Sequence, residues 1–532
     1  MRRLLLAIVL SVAWVASCYP VASHALSSDG KRFVAADNTF YSYVKAGEKI
    51  NVSFLRSQYI QKTGMPITDT TVTVDGPGTK QKKCALKKDV RVDSGCTFAP
   101  ITASKTGIWR IVFAPGKDAK PFEEASPDVR WQKNLFNWTV TVTGSDGEQR
   151  GRTWTEKYAF RQPDKAQLEA TGDFTYFYVS EDGYIYKATD RQYDGQVSVL
   201  RADSIGIRKN DDCTSAYRSV DVTSTEYSPA LGACGSRYKL FFEEPAGDLP
   251  TKATRWDDAD DWVRPNISRP KLAELHFAPD KSQDQQSGTI SFFLHNFIGQ
   301  YDIKIDVDND GSFDGQSDAT LHEQMRSLSD GLQQVRFQGV DRQGQIIPRS
   351  QKIGIKVVIT KVAEIHFVAV DVEGRGGIEV TRLNGDNAPT TRLCWNDTEL
   401  APIADVRFMT KDVDGRNCPE SDGGVHGWSY TSKSWGNARY IEDWIYASAK
   451  FDGNNTIVYP ENAVQTIKKS QTNWILIMVI AAVVFIIVAI VAVIVFRKGS
   501  KTPPPAPLAP PGIQPIGSQD PTVIQPSDND RY

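Results

Sequence analysis

Residues Trp474–Phe496, "WILIMVIAAVVFIIVAIVAVIVF", form a run without one charged side chain. A helix rising about 1.5 Å per residue would carry that run across a hydrocarbon core of roughly 30 Å. The sequence therefore predicts a single membrane crossing at 474–496, which splits the chain between two compartments. Arg497, Lys498 and Lys501 follow the run and Lys468 and Lys469 precede it, so flanking charge favours a cytoplasmic C-terminus only slightly. The N-terminus sets the orientation. Arg2 and Arg3 precede the apolar stretch Leu4 to Ala16, and small residues end at Ser23-His24-Ala25, the pattern of a secretory signal over 1–25. A rival reading takes Val15-Ala16-Ser17-Cys18 as a lipid-attachment box, with Cys18 the modified residue. Residues from about 26 to 473 are expected outside and residues 497–532 in the cytoplasm, giving a single-pass cell-membrane protein.

Cysteine usage agrees with export. Apart from Cys18 there are six, falling as Cys84 with Cys96, Cys213 with Cys234, and Cys394 with Cys418. Six cysteines allow 15 connectivities; nearest-neighbour pairing is expected, because closing such short loops stabilises each by roughly 3 kcal/mol. None of these pairs has the close spacing of a zinc site, and histidine is scarce. With 62 basic and 64 acidic residues, the chain carries no charge excess that would suit a nucleic acid.

The exterior part is too long for one hydrophobic core. Its apolar residues recur with period two. In "FYSYVKAGEKINVSFL" Ile50, Val52 and Phe54 alternate with Asn51 and Ser53, predicting a hairpin turning at Ala46-Gly47-Glu48. A second hairpin is predicted in "FTYFYVSEDGYIYKA", turning at Ser180–Gly183. Short strands with Gly, Asp and Asn turns at about 8–12 residue spacing predict an all-β exterior of tandem immunoglobulin-like β-sandwiches. The expected plan is sandwich 1 over 26–160, sandwich 2 over 161–250, a linker at 251–270, sandwich 3 over 271–361, sandwich 4 over 362–460 and a stalk at 461–473. The aromatics Phe174, Tyr176, Tyr178, Tyr184 and Tyr186 fall on one predicted face, either as core or as a surface for a sugar or protein ligand.

One loop stands out chemically. "IDVDNDGSFDGQSD" places Asp306, Asp308 and Asp310 at alternate positions, followed by Gly311, Ser312, Asp314 and Asp318. That order matches a calcium loop, with carboxylates at positions 1, 3 and 5, a glycine at 6, a backbone carbonyl at 7 and a further ligand at 9. Position 12 of an EF-hand is a glutamate but here is Ser317, and the preceding "YDIKI" alternates as a strand. The expectation is a structural Ca2+ site between two strands. "KDVDGRN" at 411–417 has only Asp412 and Asp414 and is read as a turn.

"YDIKIDVDNDGSFDGQSDATL", "GLQQVRFQGVDRQGQII", "AEIHFVAVDVEGRGGIEVTRLNG" and "WGNARYIEDWIYAS" resemble segments of large secreted, adhesin-like surface proteins of bacteria. The resemblance covers about residues 285–450. It implies a cell-surface adhesion or envelope role, a protein or glycan ligand on a neighbouring surface, and a metal loop at Asp306, Asp308, Asp310 and Asp314. The chain departs from wall-anchored members in lacking L-P-x-T-G before its apolar run.

No enzymatic activity is expected. "LHEQMR" lacks the second histidine of a zinc protease, and no G-x-S-x-G turn occurs. Glu442 and Asp443 are adjacent, so on a strand they point to opposite faces and cannot converge on one bond. The tail 497–532 is rich in proline and poor in aromatics, predicting a disordered, polyproline-II-like segment. Its run Pro503 to Pro511 keeps open a second reading, a receptor or scaffold with a cytoplasmic partner. Sequons at Asn51, Asn137, Asn266, Asn396 and Asn454 would carry glycans only in a eukaryotic host.

Overall fold

The computed structural model describes Val34 and residues 38–460 apart from 61–68, 115–133, 162–171, 401–405, 408–424, 429–438 and gaps of one to three residues. The signal segment, the stalk, the apolar run Trp474–Phe496, the proline-rich tail and residues 408–424 lie outside the described residues. Among the described residues every regular element is a β-strand, and no helix is long and apolar enough to cross a membrane. The period-two pattern is realised along Lys49–Ile60, where Ile50, Val52 and Phe54 are buried.

The first predicted hairpin does not form. Asn38–Val44 pairs with Gly107–Ala114 and Thr153–Thr155, whereas Lys49–Ile60 pairs with Asn134–Gly144 and the short strands Gly95–Thr97 and Ile101–Thr102. The turn at Gly47 instead carries the chain from one sheet to the facing one. Both segments have apolar inner faces, and these meet across the interior, with Phe40 and Phe54 ring centroids 6.1 Å apart and Phe54 stacked on Phe113 at 5.1 Å. Burying two apolar faces against each other satisfies them better than placing both in one sheet. The second hairpin forms as expected: Gly172–Val179 pairs with Ile185–Tyr193, Tyr178 lies opposite Tyr186, and Gly183 at the turn has φ +92°.

Hydrogen bonding crosses the expected domain limits. Ile353–Val370 runs through the boundary at 361/362 as one strand. Its first part pairs with Gly299–Asp306 and Thr456–Tyr459, its second with Val197–Asp203 and Arg439–Ala447. Ala363, at φ +55°, sits where the register shifts between Val362 and Ile365; the extra residue bends the strand from one set of partners to the other. Ile185–Tyr193 also pairs with Gly374–Arg382. The segments expected as sandwiches 2 and 4 thus share two facing sheets, joined by Tyr178 and Tyr186 packing on Phe367 at 5.3 and 6.3 Å. Between them in sequence, Lys271–Pro279, Gly288–His295 and Leu332–Phe337 form a three-stranded sheet. It faces the strands around the acidic loop through Phe292 on Tyr301 at 5.5 Å.

The expected linker at 251–270 is also structured. Lys252–Thr254 pairs with Asp260–Trp262, and Trp256 stacks on Tyr41 at 5.5 Å. Its tryptophans supply the apolar surface that holds this small hairpin against the sheet. The Lys239 ammonium lies over the rings of Trp262 and Trp154, 4.2 and 5.1 Å from their centroids, and donates to Asp261 at 2.7 Å. Disulfides join Cys84 to Cys96 and Cys213 to Cys234. Cys394 is disulfide-bonded, while Cys418 falls outside the described residues.

Candidate functional sites

The acidic loop is a hairpin connection. Ile305 lies opposite Ala319 in the ladder between Gly299–Asp306 and Ala319–Met325, so Asp306 and Asp318 stand at the two roots of the loop. Both are buried, at 2% and 4% exposure. Carboxylate oxygens of Asp306, Asp308 and Asp318 all come within 4.8 Å of one another. The backbone supports this arrangement: Val307 N–H and Gly315 N–H donate to the Asp318 carboxylate at 3.0 and 2.7 Å, and Gly311 N–H donates to Asp306 at 2.9 Å. Gly311, at φ +88°, supplies the sharp turn. Burial, reinforced by the negative charge of Asp318 and opposed by the backbone donors, raises the Asp306 pKa.

The converging carboxylates are a subset of the expected ligands. Asp310 accepts from Ser312 N–H at 2.7 Å, and Asp314 pairs with Lys304. Asp310 and Asp314 stand outside the carboxylate cluster, while Asp318, also among the expected ligands, joins Asp306 and Asp308 in it. An EF-hand wraps its loop around the ion; here a β-ladder fixes the two root carboxylates and the distal loop residues turn outward. Three carboxylates are hard oxygen donors of the kind Ca2+ accepts, with water and carbonyl oxygens as its usual further ligands.

The five aromatics are not a surface. Phe174, Tyr176, Tyr178, Tyr184 and Tyr186 are all buried, and Tyr186 O–H donates to the Ala363 carbonyl at 2.6 Å. They form the interior between the two shared sheets, where Tyr176 and Tyr178 border a small pocket with Asp190, Arg201 and Asp443. The reading as an exposed ligand platform is therefore corrected: strand alternation placed them on one face, but that face is covered by the sheet bearing Phe367. Asn396 is likewise buried, its side-chain oxygen accepting from Thr398 N–H and O–H, which removes it from the glycan acceptors available on the folded chain.

A second constellation, not anticipated, is built on Arg439–Ala447. Glu442 and Asp443 diverge as their adjacency requires. Glu442 lies 2.8 Å from His366 Nδ1 and accepts from Ile207 N–H and Arg218 N–H. Across the same ring Glu364 is 3.5 Å from Nε2, and Tyr217 O–H donates to Glu364 at 2.7 Å. Asp443 lies 2.7 Å from His426 Nδ1, with Asp397 2.8 Å from Nε2 and the Trp395 ring stacked on the imidazole at 4.6 Å. Both histidines are completely buried.

Burial alone would lower an imidazole pKa. At His426 the attraction of Asp443 and Asp397 outweighs it and pushes the pKa up to about 10; at His366 the neighbouring Glu364 and Glu442 carboxylates push it up to about 9. Both rings are thus imidazolium at neutral pH, each held between two carboxylates. A sequence signal existed in "AEIHFVAV", where Glu364 and His366 occupy alternate positions of an otherwise apolar strand and so share one face.

No protein-family model matches this chain, and no curated protein matches it. A carboxylate-bracketed imidazolium with no exposed surface binds charge to charge across strands; it offers no open position to a substrate.

Proposed function

We propose that the chain is a single-pass surface protein in which a calcium-stabilised, all-β exterior serves adhesion or envelope architecture. The single observation that carries this reading is the joining, in one chain, of a disulfide-linked multi-sheet unit to the uncharged run Trp474–Phe496. Disulfides fit an oxidising exterior, and a uniform β exterior with its titratable network sealed inside suits a load-bearing part. The sheet pairings support sandwiches that share sheets in place of four separate ones: the segments on either side of the third pair with each other, and the first continues into them where Trp154 lies opposite Phe241.

Calcium would be held by Asp306, Asp308 and Asp318, where it neutralises two buried carboxylates at the root of a long loop. Weak binding suffices in an extracellular medium. The partner in this reading is a protein or glycan on a neighbouring surface, and the polypeptide itself performs no catalysis.

The test uses cells displaying the full-length chain. External protease should remove the exterior from intact cells, and attachment to neighbouring cells should fall when a calcium chelator is added. Protection of the exterior from protease in intact cells, or attachment indifferent to the presence of the chain, overturns the proposal.

A further inference from the structure

The strand Thr79–Leu86 and the loop after it, "TKQKKCALKKDVR", hold Lys80, Lys82, Lys83, Lys87, Lys88 and Arg91 within twelve residues of a chain whose net charge is −2. This strand is the last of the eleven-stranded sheet and, among the described strands, is hydrogen-bonded only to Thr70–Gly76. Lys80, Lys82, Lys83, Lys87 and Arg91 are all exposed, as is Lys105, whose stem lies against the turn at Gly78. Elsewhere charges interlace: Arg110 with Asp75, Arg152 with Glu48, Arg150 with Glu243, Arg336 with Asp280. Of the six described cations here, Lys87 pairs with Asp69, and Lys80, Lys82, Lys83, Arg91 and Lys105 have no ion pair among the described residues.

We infer that this edge is a docking strip for a linear acidic polysaccharide. Along a strand, alternate residues stand about 7 Å apart, so Lys80 and Lys82 present a regular row of cations to a polymer whose carboxylates recur at sugar-unit spacing. The Cys84–Cys96 disulfide ties this strand to the facing sheet, which gives the row a rigid base. A nucleic acid fits less well. The stretch Lys80–Arg91 contains no aromatic residue on which bases would stack.

A lysine-bearing edge also guards against strand-to-strand aggregation. One or two charges accomplish that. The concentration of unpaired cations over three chain segments exceeds it and points to a polyanion.

This edge belongs to the same exterior as the proposed function, but its binding does not depend on cellular location. Full-length protein in a non-ionic detergent is titrated with polygalacturonate fragments, with neutral dextran, and with a DNA duplex. The expected result is binding to polygalacturonate and none to dextran. Affinity should fall about thirtyfold between roughly 50 and 200 mM salt if three cations act together.

The triple substitution Lys80→Gln, Lys82→Gln, Lys83→Gln should weaken binding at least about tenfold and flatten the salt dependence. The matching Lys→Arg triple and the distant Lys187→Gln should retain it, which separates charge loss from misfolding. The inference is overturned if the glutamine triple binds polygalacturonate as the parent does, if it self-associates with unchanged polymer binding, or if the duplex binds more tightly through the same lysines.

Discussion

Asp443 Oδ1 lies 2.7 Å from His426 Nδ1, and this contact joins the two largest sheets: His426 belongs to Val425–Trp428 of the eleven-stranded sheet and Asp443 to Arg439–Ala447 of the nine-stranded one. Around it the interior between those sheets is mostly aromatic and aliphatic, with Asp190 and Arg201 also buried there. An ion pair there contributes little net stability over an apolar pair, yet it fixes which strand meets which. Removing one partner is another matter, because the other charge is then stranded. Asp443→Asn should lower unfolding stability by about 3 kcal/mol, read as a shift in the denaturant midpoint. A shift equivalent to under about 0.5 kcal/mol would refute the cross-sheet role.

Protonation of the two histidines gives a pH dependence with a definite sign. Their folded pKa values, about 10 for His426 and about 9 for His366, lie above the ordinary 6.5. The folded chain therefore holds protons that the unfolded chain releases. The associated stability is fully present below about pH 6.5 and is lost as pH rises through about 9 to 10. The melting temperature should decline steadily over that window. A melting temperature that is level across it would show that the buried rings are neutral.

The metal cluster separates its members by position. Added Ca2+ should raise the melting temperature of the parent chain, by an amount equivalent to about 2.7 kcal/mol when the ion is at a hundred times its Kd. Asp306→Asn and Asp318→Asn should abolish that rise, while Asp314→Asn, whose carboxylate pairs with Lys304, should keep most of it. An equal loss from all three substitutions would restore the wrapped-loop geometry suggested by spacing alone.

Local features are legible in the sequence, and long-range ones are not. Alternation in Gly172–Val179 and the Ser180–Gly183 turn specify their own hairpin, because both partners lie within a few residues. The same alternation around Gly47 does not say whether two neighbouring apolar faces share a sheet or oppose each other; that choice is made by Gly107–Ala114 and Asn134–Gly144, far along the chain. Asp306 is legible from its spacing to Asp308. Its partner Asp318, expected as a ligand from its place in the acidic run, is brought close by ladder register. His426 depends on a bridge between sheets, and no local pattern carries it.

The disulfide Cys84–Cys96 closes a short loop, with a sequence separation of 12. On the loop-entropy account, closure of that length stabilises the folded chain by about 3 kcal/mol, and Cys96 is itself buried against the core. The paired substitution Cys84→Ser, Cys96→Ser should therefore cost about 3 kcal/mol or slightly more, since the second change would place a hydroxyl in an apolar site. Cys84→Ala with Cys96→Ala should cost less by the hydroxyl contribution. A reductant should reproduce the loss in the parent and leave both variants unmoved at this bridge. If the parent melts at the same temperature before and after this bridge is shown to be fully reduced, the loop-closure account fails.

The core reading of the aromatics yields the sharpest contrast. Tyr178 is 1% exposed and packs edge-on against Phe367 at 5.3 Å, so Tyr178→Ala should cost about 3–5 kcal/mol through lost burial and the cavity left behind. Tyr186→Phe removes only the hydroxyl that donates to the Ala363 carbonyl at 2.6 Å, at the bend of the strand shared between two sheet systems. That change should cost about 1–2 kcal/mol. Equilibrium unfolding of the two variants measures both values. A folded Tyr178→Ala protein with parental stability would return these side chains to a surface, and a neutral Tyr186→Phe would detach the hydroxyl from holding the Ala363 bend.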